Sequence, residues 1–292
     1  MIGTHKTNGM SFAEGNPVVK PSIRLVLTER DYSIIRWIYE VRATTREQIQ
    51  QMFFGPGGRS RCQHRLMLLV ENRYVDRLPR RSASNPDVFY LSRRAYKGLR
   101  VLRASAQNEV VPVRLSPLRV PHIVALAGCR AIMTTSSRDA GMNLDFWVDE
   151  RYIAPLTEAY GLIPDGYFQI RRETPEGTKR AAFFVEVERS GKSKPALEKK
   201  FKRYARFYYG GHYERLFGTK ALRTLFLVGA EYGMHPSKQI ETYSEICSRV
   251  GTAFFRFATL EDVLIRPKEQ ILTARFWKRP GRADPVALYE TG

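Results

Sequence analysis

Cysteine is scarce in this chain, and the three that occur, Cys62, Cys129 and Cys247, lie far apart. An odd, dispersed set excludes a disulfide framework, and no Cys-x-x-Cys spacing offers a zinc site. Reduced thiols in a cytoplasmic protein are expected. The five histidines, His64, His122 and His235 among them, fall into no ligand spacing. No run approaches the roughly 18 uninterrupted apolar residues of a spanning helix, so no membrane partner is expected. The opening residues MIGTHKTNGMSFAEGN lack the apolar core of a secretory signal and read as part of a disordered leader over 1–23. Acidic residues are also short: 29 Asp and Glu face 48 Lys and Arg, a net charge of +19. Such an excess repels itself in a compact fold, and a polyanion relieves it, nucleic acid before anionic membrane.

What is present suffices for two folded units. The hydrophobic fraction of 43% is that of a globular protein, not a disordered one. Thr28 with Asp31 three residues on forms a capping box, and Ile34, Ile35, Ile38 and Val41 follow at helical spacing. Thr45 with Gln48 opens a second helix through Ile49, Met52 and Phe53, which the glycines at 55, 57 and 58 break. Ser60 is expected to cap a third, with Leu66, Leu69 and Val70 inward and Arg59, Arg61, His64, Arg65 and Arg73 outward. Two short strands, Tyr74–Leu78 and Val88–Leu91, then flank a polar tip carrying Arg80 and Arg81.

Three helices followed by a hairpin with a basic tip is the order of a winged helix-turn-helix domain, expected over 24–104. Arg24 to Ala104 holds 17 Lys and Arg against 7 Asp and Glu, and 16 of those cations are arginine. Guanidinium groups suit bidentate contacts to phosphate and guanine. They gather on the third helix and the hairpin tip, the elements this architecture lays in the major groove and along the backbone. Double-stranded DNA is therefore the expected partner, contacted by Arg59, Ser60, Arg61, His64, Arg65, Arg73, Arg80 and Arg81.

A Pro- and Val-rich linker is expected over 105–121, then an α/β unit with a mixed sheet over 122–277 and a tail over 278–292. The overall fold class expected is α+β. In the second unit, helices read at 122–138, 194–209 and 236–250, and strands at 162–170, 181–188, 222–229 and 253–257. A hairpin turning about Pro175 and Glu176 places Asp165 opposite Glu186, with Glu188 on the same face as Glu186. Like charges that close call for a cation, and Mg²⁺ or Mn²⁺ on Asp165 and Glu186 is one reading. The other pairs these acids with arginines such as Arg171 and Arg189. The helix after them carries Lys199, Lys202, Arg203 and Arg206 on one face, able to hold a phosphate.

The Pro-Asp, Glu-x-Glu and basic-helix arrangement resembles the PD-(D/E)XK nuclease superfamily. That resemblance implies a restriction-endonuclease-like fold with Asp165 and Glu186 as metal-binding acids. The chain departs from the pattern at Glu188, which stands in place of the usual lysine. Longer stretches resemble the replication-relaxation family: Leu27–Asp31, Thr44–Ile49, Arg65–Leu78, Leu162–Phe168, Phe183–Arg189, Lys200–Tyr204 and Thr259–Asp262. This second resemblance runs in order from Leu27 to Trp277. It implies a plasmid or mobile-element setting, replication or mobilisation, and other proteins of those processes as partners.

Two functions follow from these readings. One is a metal-dependent, site-specific DNA nickase or endonuclease, with Asp165, Glu186, Glu188, Lys199 and Lys202 as its catalytic group. The other is a non-catalytic initiator or transcriptional regulator whose second unit forms a homodimer or docks DNA on an inactive nuclease-like scaffold. Fifteen tyrosines single out no covalent nucleophile, and no glycine-framed aromatic motif of the common RNA modules occurs.

Overall fold

A computed structural model describes residues 25–79, 82, 85–102, 115–230 and 235–289. The leader, the basic tip residues Arg80 and Arg81 and most of the expected linker lie outside them. The first unit runs α1 (Glu29–Val41), β1 (Ala43–Thr45), α2 (Arg46–Phe53), α3 (Arg59–Glu71), β2 (Val75–Arg77), β3 (Val88–Leu91) and α4 (Arg93–Leu102). Both capping boxes form as the sequence predicts, Thr28 with Asp31 and Thr45 with Gln48. Ser60 is not the cap of α3; the helix begins at Arg59 with Gly58 before it. A Cβ at Gly58 would lie 2.6 Å from the Phe54 carbonyl oxygen, so the chain turns tightly there and starts the helix early.

The far end of α3 closes by a Schellman arrangement. Tyr74 N–H donates to Leu69 O and Arg73 N–H to Val70 O, both at 2.9 Å. Arg73 therefore sits at φ 57°, a conformation that usually selects glycine. The three strands pair antiparallel in the order β1-β3-β2. β1 is too short to announce itself in sequence. Ile34, Ile38, Ile49, Leu66, Leu69, Val75 and Phe89 fill the core beneath.

The second unit comprises α5 (Val120–Asp139), β4 (Asn143–Asp149), α6 (Glu150–Thr157), β5 (Gly166–Thr174), β6 (Gly177–Glu188), α7 (Lys194–Tyr209), α8 (His212–Phe217), β7 (Leu222–Val228), α9 (Pro236–Val250), β8 (Phe255–Thr259), α10 (Leu260–Ile265) and α11 (Lys268–Ile271). Its five-stranded sheet is mixed, in the order β4-β5-β6-β7-β8. β4, β5 and β6 pair antiparallel, whereas β6, β7 and β8 run parallel through the α7–α8 and α9 crossovers. The whole is α+β, as expected. β4, α6 and α8 were not foreseen; in β4 a bulge between Leu144 and Phe146 breaks the strand's alternation.

Strand alternation sorts the two layers that cover this sheet. Phe183, Val185 and Val187 of β6 face one core with Leu126, Cys129, Ile132 and Met133 of α5. Ala182 and Phe184 face the other, with Leu197, Phe201, Tyr204 and Phe207 of α7 and Ile240, Tyr243 and Ile246 of α9. The stretch after Trp277 joins the α5 layer: Val286 pairs with Trp277, and Leu288 is buried.

Helix α5 also serves the first unit, because it is apolar on nearly every side. Ala127 and Ala131, one turn apart, enter the core of α1–α3. Polar ties run alongside: Gln48 donates to Val124 O and Gln51 to Thr135, each at 2.9 Å, and Arg130 pairs with Glu40. Arg42, buried at φ 70° after α1, reaches Glu150 at 3.0 Å.

Candidate functional site

The outer face of α3 is the first candidate. Arg59, Ser60, Arg61 and His64 are exposed, and among the described residues none of them meets an acid. Arg73, at the left-handed turn after the helix, is exposed as well. Arg65 behaves differently. Its guanidinium turns back across the helix, donating Nε to Asp31 Oδ1 at 2.6 Å and Nη2 to Val26 O at 3.1 Å, and pairs with Asp31 Oδ2 as well. Asp31 is fully buried and also caps α1 through Thr28. Burial works to raise its carboxyl, yet the Arg65 and Thr28 donors hold it below the ordinary 3.8. Arg65 is thus tied into the framework, while Arg59 and Arg61 have no side-chain partner among the described residues.

The acids of the second unit form the other candidate. Asp165 directly precedes β5, and the pairing of Gly166 with Val185 sets it beside Glu186, as the hairpin arithmetic requires. The three carboxylates do not share an open centre. Asp165 Oδ1 meets His122 Nε2 of α5 at 3.1 Å, and its Oδ2 accepts from Val187 N at 2.8 Å. Glu186, only 3% exposed, faces α7 and accepts from Lys200 Nζ at 2.7 Å and from the Tyr204 hydroxyl at 2.5 Å. Glu188 accepts from Ser190 N at 2.9 Å, from Ser190 Oγ at 2.5 Å and from Lys192 Nζ at 2.7 Å. All six carboxylate oxygens therefore have a donor from the protein itself.

That saturation tests the fit of a divalent cation. Among the described residues no group of three or more His, Cys, Asp and Glu is arranged to hold a metal. An ammonium and a phenol occupy Glu186 where Mg²⁺ or Mn²⁺ would bind. As arranged, the donor set does not fit a resident cation. Burial lowers the pull of Lys200 for its proton, but Glu186 outweighs it and keeps the ammonium charged. Burial first, and the nearby Asp165 second among the raising influences, push Glu186 upward against Lys200 and Tyr204.

The lysines foreseen beside the acids lie elsewhere. Lys199 and Lys202 are on the solvent side of α7, and Lys202 pairs with Glu198 at 2.6 Å. Arg171 pairs with Asp145 at 2.9 Å and with Glu173, not with Asp165 or Glu186. The residues that sequence reasoning missed are His122, Lys200 and Tyr204. A signal for Lys200 existed: Leu197, Lys200, Phe201 and Tyr204 follow helical spacing, so this lysine lies in the buried stripe. A lysine in such a stripe requires an acid opposite.

The His122–Asp165 pair makes stability depend on pH. The hydrogen bond to Asp165 raises His122 above its ordinary 6.5, against burial. Burial would raise Asp165, but His122 and the Val187 amide hold it below 3.8. The histidine's contribution is full below 6.5 and is lost as pH rises through its raised value. The carboxylate's is full above 3.8 and is lost as pH falls through its lowered value. Urea unfolding of wild type and His122→Ala is expected to differ most between those limits, and less on either side. A difference independent of pH excludes the pair.

Fold and charge together define a basic α+β protein with a mixed five-stranded sheet and an arginine-rich helical head. The chain belongs to the replication-relaxation family, whose model matches residues 35–220. The match runs from within α1 to just before β7, taking in both candidates. Membership points to a role in the replication or mobilisation of a mobile element. No curated protein and no solved structure matches the chain. Among the described residues no helix is long and apolar enough to cross a membrane.

Proposed function

We propose that the chain is a sequence-specific DNA-binding protein of a mobile element, acting as an initiator or regulator of its replication or mobilisation. The observation that carries this reading is the outward face of α3. Arg59, Ser60, Arg61 and His64 stand there without side-chain partners among the described residues, on a three-helix unit whose strand order suits a winged helix. In that architecture the third helix enters the major groove, where arginine reads guanine and neutralises phosphate. The buried acids then serve as an internally neutralised frame on a nuclease-like sheet.

Fluorescence anisotropy with duplex DNA from the element's own origin tests the reading. Arg59→Ala/Arg61→Ala is expected to cost about 1–3 kcal/mol of binding where one arginine reads a base edge. The dependence of affinity on salt should also flatten by about one unit of log slope for each phosphate that is no longer neutralised. Affinity unchanged in a variant that melts like wild type removes α3 from the interface.

A metal-dependent nickase is the second reading, favoured by the position of Asp165 beside Glu186 at the β5–β6 hairpin. It requires a divalent cation to take the place of Lys200. A plasmid-nicking assay with Mg²⁺ or Mn²⁺ on supercoiled origin DNA tests it.

A further inference from the structure

The parallel half of the sheet directs two helices to the same place. β6 leads into α7 and β7 into α9, and both helices pack on one face, so their N-termini lie side by side at the carboxyl ends of those strands. Open sheets with parallel strands bind ligands at this edge. Neither start is capped by a side chain: Ser193 before α7 and His235 before α9 make no capping hydrogen bond, and each helix has proline in its first turn. Among the described residues the N–H groups of Lys194, Ala196 and Ser237 find no acceptor. Two helices of 16 and 15 residues thus present their positive ends together.

Between them lies a cavity of about 410 Å³, lined by Lys192, Lys194, His235, Lys238, Gln239 and Tyr243 among others. Lys194 and Lys238 are exposed and have no ion-pair partner among the described residues. Gln239 supplies an independent sign of a ligand. It is only 5% exposed, lines the cavity, and its amide has no hydrogen-bond partner among the described residues. The body of the side chain is buried while its amide opens on the cavity, so a donor and an acceptor are available to something there. Glu188, the ion-pair partner of Lys192, is also engaged by Ser190.

We propose that this cavity is a phosphate-binding site, formed by the N-termini of α7 and α9 with Lys192, Lys194, Lys238 and Gln239. The ligand chemistry is a phosphate ester, brought either by the backbone of a DNA strand or by a free nucleotide. The site is distinct from the α3 face and does not depend on the reading of that face.

The test uses the full chain and four variants. Lys194→Ala/Lys238→Ala removes the two exposed lysines of the cavity, and Gln239→Leu removes the amide without changing charge. Lys179→Ala/Arg180→Ala removes the same charge from the β5–β6 hairpin, and Arg59→Ala/Arg61→Ala reports on α3 alone. If the ligand is a DNA phosphodiester, the first variant should flatten the log-affinity against log-salt slope by about 1 to 2 units. Gln239→Leu should weaken DNA binding severalfold, and the hairpin variant should change neither. If the source is a free nucleotide, ATP or orthophosphate should raise the melting temperature of wild type but not of the first two variants. The proposal is overturned if both variants fold normally, bind DNA as the hairpin variant does and respond to ATP and orthophosphate like wild type. A loss confined to Arg59→Ala/Arg61→Ala would leave the α3 reading intact while removing this one.

Discussion

Replacing Arg65 by alanine is expected to lower stability by about 3 kcal/mol or more, because it strands a buried carboxylate. The same guanidinium bonds both oxygens of Asp31 and the Val26 carbonyl, joining α3 to the start of α1. The melting temperature should fall on the order of 10 °C. Arg65→Lys keeps the charge but loses the planar fork, so an intermediate loss is expected. The pH dependence gives a second check. Asp31 is held below 3.8, so its contribution is full above that value and disappears as pH falls through the lowered one. The deficit of Arg65→Ala should therefore shrink in acid. A variant that melts like wild type at neutral pH would return Arg65 to the DNA-facing set. Any loss of DNA binding in this variant reports on folding first, and Arg61 is the better probe of contact.

Lys200→Met is expected to be the most damaging substitution in the second unit, again by about 3–5 kcal/mol. It leaves Glu186 buried, close to Asp165, with only the Tyr204 hydroxyl among the described residues to answer it. Glu186 would then rise further above the usual carboxylate range. Stability of the variant should fall as pH rises through that interval, and the deficit should narrow on acidification as the carboxyl takes up a proton. Divalent cations separate the two functional readings. If the acids are a frame, Mg²⁺ leaves the variant's melting curve unchanged. If Asp165 and Glu186 bind metal, removing the competing ammonium opens the site, and Mg²⁺ at a hundred times its Kd restores about 2.7 kcal/mol. That restoration would favour the nickase.

Much of this arrangement was legible in the chain, for local reasons. Capping boxes at Thr28 and Thr45 are short-range chemistry, and the structure has both. The bounds of α7 and α9 coincide with the expected 194–209 and 236–250, since a proline opens each and a glycine follows each. The hairpin that brings Asp165 to Glu186 followed from one turn and strand alternation. What was hidden depends on partners distant in sequence. Arg65 looked like a free cation because Asp31 lies 34 residues away. His122 had no ligand spacing because its partner is Asp165, 43 residues on. Lys199 and Lys202 looked nearest the acids along the chain, but helical phase turns Lys200 inward. β1 and β4 are fixed by neighbouring strands and carry weak patterns of their own.

The dual role of α5 bears on how a target site would be spelled out along DNA. A single helix contributes side chains to the core beneath α3 and to the core beneath the sheet. The first unit therefore cannot swivel against the second without breaking hydrophobic packing, as it could on a loose tether. If both α3 and the α7–α9 edge touch one duplex, the distance and helical phase between their contacts are set by the protein. Inserting about five base pairs between them, half of a 10–10.5 base-pair turn, would carry the second contact to the far side of the double helix, and ten would bring it back.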